Sequence, residues 1–156
     1  MDRQGKWRVP RESAKRRPGV ARRPAVTNIV GDMADKPKIL IVDDDEQFAL
    51  LLANHLRGAG YQPVTAVDAM QGFMFALREN PALILLDISM PAGGGMSLLG
   101  RLAKAVRTQL VPVVVVTARQ EPEVEAEARS NGAVEFLRKP IDRDTLLAAV
   151  SAALKT

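Results

Sequence analysis

Four short apolar runs in this chain each lead into a residue that can do chemistry. Ile39–Val42 is followed by Asp43, Asp44 and Asp45, and Ala82–Leu86 by Asp87. Val111–Val116 leads to Thr117, and Ala133–Leu137 runs on to Lys139. Carboxylates packed together repel, so a site holding them favours either a proton or a hard cation. Donors that are all oxygen, with no histidine or cysteine, point to Mg2+ or Mn2+. Mg2+ typically takes one or two carboxylates together with waters and phosphoryl oxygens. A hydroxyl and a lysine facing them suit an anion, the lysine acting as a compact charge for a phosphoryl group. Aspartate is itself a phosphoryl nucleophile and yields an acyl phosphate. These residue types suggest a carboxylate that accepts phosphate under a metal.

The elements between these residues must bring them together. The β-branched run Ile39–Val42 reads as a strand, and Phe48–Leu56 follows with helical apolar spacing, stopped by Gly58 and Gly60. Gln62–Ala66 reads as a second strand. Ala69–Glu79 reads as a helix built on Met70, Phe73, Met74 and Leu77, closed by Asn80-Pro81. Ala82–Leu86 is apolar throughout, as a strand covered on both faces should be. After a Pro/Gly loop come a helix over Met96–Val106 and a fourth strand over Val111–Val116, with Pro112 at its beginning. An acidic helix over Glu123–Asn131 ends at Gly132. Ala133–Leu137 is the fifth strand, and Arg143–Leu154 the last helix, capped by Asp142.

Five strand–helix units predict an α/β fold: a doubly wound, five-stranded parallel sheet with five helices. Right-handed crossovers leave few topologies, and order 2-1-3-4-5 is the commonest. Ligands bind such sheets outside the carboxyl ends of the strands, near the switch point between the first and third. That is where Asp43, Asp44 and Asp87 fall.

Other residues have plainer readings. Asp45 is expected to cap the first helix rather than bind a ligand. His55, between Leu51, Leu52 and Leu56, reads as a surface or boundary residue. Met70 and Met74 are expected to fill the core. Glu121, Glu123, Glu125 and Glu127 read as a solvated helix face.

Charge is unevenly placed. Residues 1–36 hold ten Lys/Arg against four Asp/Glu, a net of +6, and the remaining residues carry a net of −2. The overall +4 therefore describes the first segment, not the globule. That segment has no helical or strand period and is broken by Pro10, Pro18 and Pro24, so residues 1–36 are expected to be a disordered basic tail and residues 37–156 the domain. Met33 opens MADKPKILIVDDDE and reads as an alternative start. With 47% hydrophobic residues the chain can build a core, which excludes wholesale disorder. The absence of cysteine excludes disulfides, cysteine nucleophiles and thiolate metal sites, and a single histidine excludes a multi-histidine site. The apolar runs are far short of a membrane span and no signal-peptide pattern follows the basic start, so a cytoplasmic location is expected.

Four segments carry a family resemblance. Ile39–Asp45 (ILIVDDD), Leu83–Pro91 (LILLDISMP), Val113–Ala118 (VVVVTA) and Gly132–Pro140 (GAVEFLRKP) resemble, in order and nearly without insertion, the signature segments of bacterial two-component response-regulator receiver domains. The resemblance implies a flavodoxin-like receiver phosphorylated on Asp87. It implies a metal held by Asp43, Asp44, Asp87 and the backbone carbonyl of Ser89, with Thr117 as switch hydroxyl and Lys139 as its cationic partner. Phe136 falls where the family carries a rotating aromatic, and Lys139-Pro140 where it carries a cis bond. One departure is visible. Ala92-Gly93-Gly94-Gly95 stands where a bulky residue and an acid commonly precede the last glycine, and the extra glycines are expected to loosen the loop.

The function expected from the resemblance is a stand-alone, chemotaxis-type response regulator. It would take phosphate from a sensor histidine kinase or a phosphotransfer protein with Mg2+ (or Mn2+) present, and switch a protein partner through the fourth helix, fifth strand and fifth helix. It would not be a turnover enzyme. Two alternatives are a metal-dependent phosphatase using Asp87, and a phospho-regulated nucleic-acid binder acting through the basic segment. Nucleic acid is the less expected partner.

Overall fold

A computed structural model describes residues 36–155. The expectations of a disordered tail and of a start at Met33 lie outside these residues. Strands β1 (Lys38–Val42), β2 (Gln62–Ala66), β3 (Leu83–Leu86), β4 (Val113–Thr117) and β5 (Glu135–Arg138) form one parallel sheet in the order β2-β1-β3-β4-β5. Helices α1 (Glu46–Gly58), α2 (Ala69–Glu79), α3 (Gly94–Lys104), α4 (Pro122–Ser130) and α5 (Arg143–Leu154) alternate with the strands. The doubly wound fold and its strand order are those expected, and the element ends differ by a few residues at most.

Alternation along each strand divides two apolar layers. Leu40, Val42, Ile84, Leu86, Val113 and Val115 pack with residues of α2, α3 and α4, including Ala76, Leu98, Leu102 and Ala128. Ile39, Ile41, Leu83, Leu85, Val114 and Val116 pack with α1 and α5, including Leu52, Leu56, Leu146 and Val150. This explains why the central strands read as unbroken apolar runs: each side chain has a helix above or below it.

Local chemistry fixes the helix starts. Asp45, Asp68 and Asp142 each accept a hydrogen bond from a backbone N–H three residues on, at 3.1, 2.8 and 2.7 Å, capping α1, α2 and α5. At α2 the cap is reinforced, since Gln71 Oε1 accepts from the Val67 N–H at 2.8 Å. Replacing Asp68 by alanine is therefore expected to cost about 1 kcal/mol. The check is a urea midpoint that falls with an unchanged slope, with Asp68→Asn, still an acceptor, close to wild type.

One reading of α2 is corrected. Met70 and Met74 are 71% and 50% exposed, and the buried residues of the helix are Gly72 and Ala76. The helix lies so close to the sheet that a Cβ on Gly72 would meet Val42 Cγ1 and Leu98 Cδ2 at 3.0 Å. Small residues face the sheet, and the long methionines are turned outward. The glycine run leads straight into a helix. Pro91–Gly93 form a 3-10 turn and Gly94 and Gly95 already belong to α3. Ala92 sits there at φ +60°, a left-handed position that costs a non-glycine residue roughly 1 kcal/mol.

Candidate functional site

The sheet ladder runs one residue beyond three of its strands, and these residues are the acids and the lysine. Asp43 N–H donates to the Ala66 carbonyl at 3.0 Å, Asp87 N–H to the Val42 carbonyl at 2.9 Å, and Lys139 N–H to the Thr117 carbonyl at 2.8 Å. The backbone thus holds all three at one end of the sheet, Asp43 and Asp87 after the adjacent strands β1 and β3, and Lys139 after β5 with only β4 between it and β3. Asp43, Asp44 and Asp87 each offer a carboxylate oxygen, and these oxygens lie within 4.8 Å of one another.

Charge is only partly offset there. Lys139 Nζ donates to Asp43 Oδ2 at 2.9 Å and to Asp87 Oδ2 at 3.2 Å, bridging the two buried acids. Their other oxygens are tied to the chain: Asp43 Oδ1 accepts from the Asp45 N–H and Asp87 Oδ1 from the Ser89 N–H, each at 2.8 Å. Asp44 is exposed. Burial pushes the Asp43 carboxyl above its ordinary value, opposed by the Lys139 ammonium and the Asp45 N–H. Burial pulls the Lys139 ammonium down, but its bonds to Asp43 and the charges of both acids outweigh this and hold it above its usual value. Three carboxylates against one ammonium leave two negative charges. An all-oxygen cluster with that excess and one solvent-facing member fits a hard divalent cation.

Thr117 is fully buried at the end of β4, and its hydroxyl is hydrogen-bonded to the Ser89 hydroxyl. The Arg119 N–H approaches the same oxygen at 3.4 Å. Phe136 is also buried, packed in the layer under α4 with the Arg138 guanidinium 5.0 Å from its ring centroid. The Lys139-Pro140 bond is cis. The structure therefore gathers Asp43, Asp44, Asp87, Ser89, Thr117 and Lys139 at one end of the sheet and sets Phe136 in the apolar layer beside it.

Two sets of contacts were not read from the sequence. Phe48 on α1 places its ring against Lys139, with the ammonium 4.1 Å from the centroid. Glu125 on α4 is only partly exposed and takes ion pairs from Arg129 at 3.0 Å and Arg138 at 3.1 Å. Arg129 continues to Glu135 at 2.8 Å, tying α4 to β5. Glu123 and Glu127 of the acidic helix, and Glu121 just before it, are exposed as expected.

Comparison with known proteins shows the family and agrees with the fold. The response regulator receiver domain family matches residues 39–151, and the chain belongs to that family, the regulator side of two-component signalling. It is 33% identical over 117 residues to Protein PilH of Pseudomonas aeruginosa, spanning 75% of this chain and 97% of PilH. It is 36% identical over 119 residues to the DNA-binding dual master transcriptional regulator RpaA of Synechocystis, spanning 76% of this chain but 49% of RpaA. The chain thus spans about half of one such relative and nearly all of another. Among solved structures, chemotaxis protein CheY4 of Vibrio cholerae superposes with a TM-score of 0.72 at 26% identity, covering 76% of this chain and 98% of that one. A CheY-like receiver of Methanospirillum hungatei gives 0.73 at 27%, covering 78% and 95%. No helix among the described residues is long and apolar enough to cross a membrane.

Proposed function

We propose that this receiver is a phosphoacceptor that works through Asp87. The observation that supports it best is the bridging of Asp43 and Asp87 by Lys139 at 2.9 and 3.2 Å inside a cluster of three carboxylates. A carboxylate oxygen of Asp87 attacks the phosphorus of a phosphohistidine. The P–N bond breaks, its electron pair stays on the imidazole, and Asp87 becomes an acyl phosphate. Asp43, Asp44, Asp87 and the Ser89 carbonyl would hold Mg2+, which when bound neutralises the acids and polarises the phosphoryl oxygens. Lys139 then exchanges one Asp87 oxygen for a phosphoryl oxygen, retaining a charge-assisted bond. The Thr117 hydroxyl exchanges Ser89 for the same group, and the Ser89–Thr117 bond must open for it to do so.

The donor is a sensor histidine kinase or a phosphotransfer protein in the cytoplasm. A groove beside the acids, lined by Asp43, Glu46, Gln47, Leu50, Thr65 and Val67, leaves room for its approach. The signal leaves through α4, β5 and α5 as a shift between two populated states, with Phe136 and the Glu125–Arg138 pair at that face. Residues 37–156 are the unit that does this, and the chain acts as a signalling component, not a turnover enzyme.

The test is transfer from a phosphorylated kinase with and without chelator. Transfer that requires Mg2+ or Mn2+, and that weakens at least tenfold in metal affinity when Asp44 becomes asparagine, supports the reading. Transfer unaffected by chelator would defeat it.

A further inference from the structure

Lys139 reaches the acids on a long unbranched stem that could equally leave its ammonium in water. Two of its contacts are the acids themselves, at 2.9 and 3.2 Å. The third comes from another element. The ring of Phe48, in the first turn of α1, has its centroid 4.1 Å from Nζ. The backbone that carries the ring is held in turn, because the Phe48 N–H is the one that Asp45 caps at 3.1 Å. The segment that supplies the acids after β1 therefore also supplies, five residues beyond Asp43, an aromatic face for the cation.

We infer that Phe48 is a positioning residue for Lys139, holding the ammonium over the two acids and out of water so that it is already placed for a phosphoryl oxygen. This rests on the reading of Asp87 as phosphoacceptor and adds to it. The face of an aromatic ring attracts a cation through its quadrupole, most strongly where water is excluded. The lysine side chain is 17% exposed, so water is largely excluded. A third carboxylate at this point would hold the ammonium too, but it would add negative charge beside an incoming phosphate and occupy another ammonium proton. A ring does neither. It directs the cation while leaving its charge available.

The experiment uses the full chain as wild type, Phe48→Leu and Phe48→Tyr, with Phe48→Leu repeated in a Lys139→Met background. Leucine keeps an apolar side chain at this half-buried position and removes the π face; tyrosine keeps the face. Two quantities are read: affinity for beryllofluoride, a phosphoryl mimic, with Mg2+ present, and the metal-free melting temperature. Phe48→Leu is expected to weaken beryllofluoride binding about threefold to tenfold, and Phe48→Tyr to keep wild-type affinity. In the Lys139→Met background, Phe48→Leu is expected to leave the affinity unchanged and to lower the metal-free melting temperature by less than it does in wild type, so the two substitutions are non-additive. An equal loss of affinity with and without Lys139, or failure of tyrosine to hold affinity, overturns the inference. A wild-type chain that binds no beryllofluoride overturns the phosphoacceptor reading instead. The metal-free cycle still decides the Phe48–Lys139 coupling in that case, additivity there counting against it.

Discussion

Replacing Lys139 by methionine is expected to lower metal-free stability by about 3 kcal/mol, and Mg2+ is expected to return much of the loss. Methionine retains most of the apolar stem, so the substitution mainly removes the charge. The ammonium lies 2.9 Å from Asp43 and 3.2 Å from Asp87, whose side chains are 3% and 6% exposed. Without it, two buried carboxylates face each other beside the exposed Asp44, and water cannot solvate them. Removing one partner of a buried ion pair is costly because the other charge is left uncompensated. A divalent cation supplies the missing charge, so its stabilising effect should be larger in Lys139→Met than in wild type. Melts with and without Mg2+ read both quantities. A variant that melts like wild type without metal would mean that the ammonium offsets nothing at this site.

The second large effect is expected at Gly95. A Cβ there would lie 2.4 Å from the Asp87 carbonyl oxygen and 2.4 Å from Ile88 Cα, both backbone atoms that cannot rotate away. The start of α3 is thus pressed against the turn that carries the proposed phosphoacceptor. Gly95→Ala must push the two apart, at an overpacking cost of roughly 1–3 kcal/mol. Asp87 moves with its backbone, and a misplacement of about 1 Å can cost about a hundredfold in rate. The expected result is a clear loss of stability with at least about a tenfold slower phosphorylation. Gly100→Ala is the control: it lies in the same helix with nothing within 4 Å of the added carbon, and should be neutral or slightly stabilising. Equal behaviour of the two variants would contradict the close approach.

The central strands were legible because both faces of the sheet are covered, which leaves unbroken apolar runs such as LILL at Leu83–Leu86, and their order because right-handed crossovers leave few topologies. The caps at Asp45 and Asp142 were legible because they are local, each bond spanning three residues. The acids and Lys139 could be placed because a parallel sheet puts every strand's carboxyl end on one side. The inward face of α2 was misread. Methionine looks like core by size, yet Gly72 and Ala76 occupy the sheet side because the helix approaches closely. Contacts between distant segments left no local trace. Phe48 meets Lys139 across 91 residues, the Ser89 hydroxyl meets Thr117 across 28, and Glu125 meets Arg138 across the α4–β5 turn. In each case the residue type was plain and its partner was set only by the packed fold.

The most direct test of the central claim is to find where the phosphoryl group goes. The full chain is incubated with Mg2+ and either acetyl phosphate or a phosphorylated histidine kinase, then reduced with borohydride, which converts an aspartyl phosphate to homoserine, and sequenced by mass spectrometry. The expected result is a single converted position, Asp87, with no conversion in Asp87→Asn or in the presence of chelator. Conversion at Asp43 or Asp44 with Asp87 intact, or undiminished labelling of Asp87→Asn, would contradict the account.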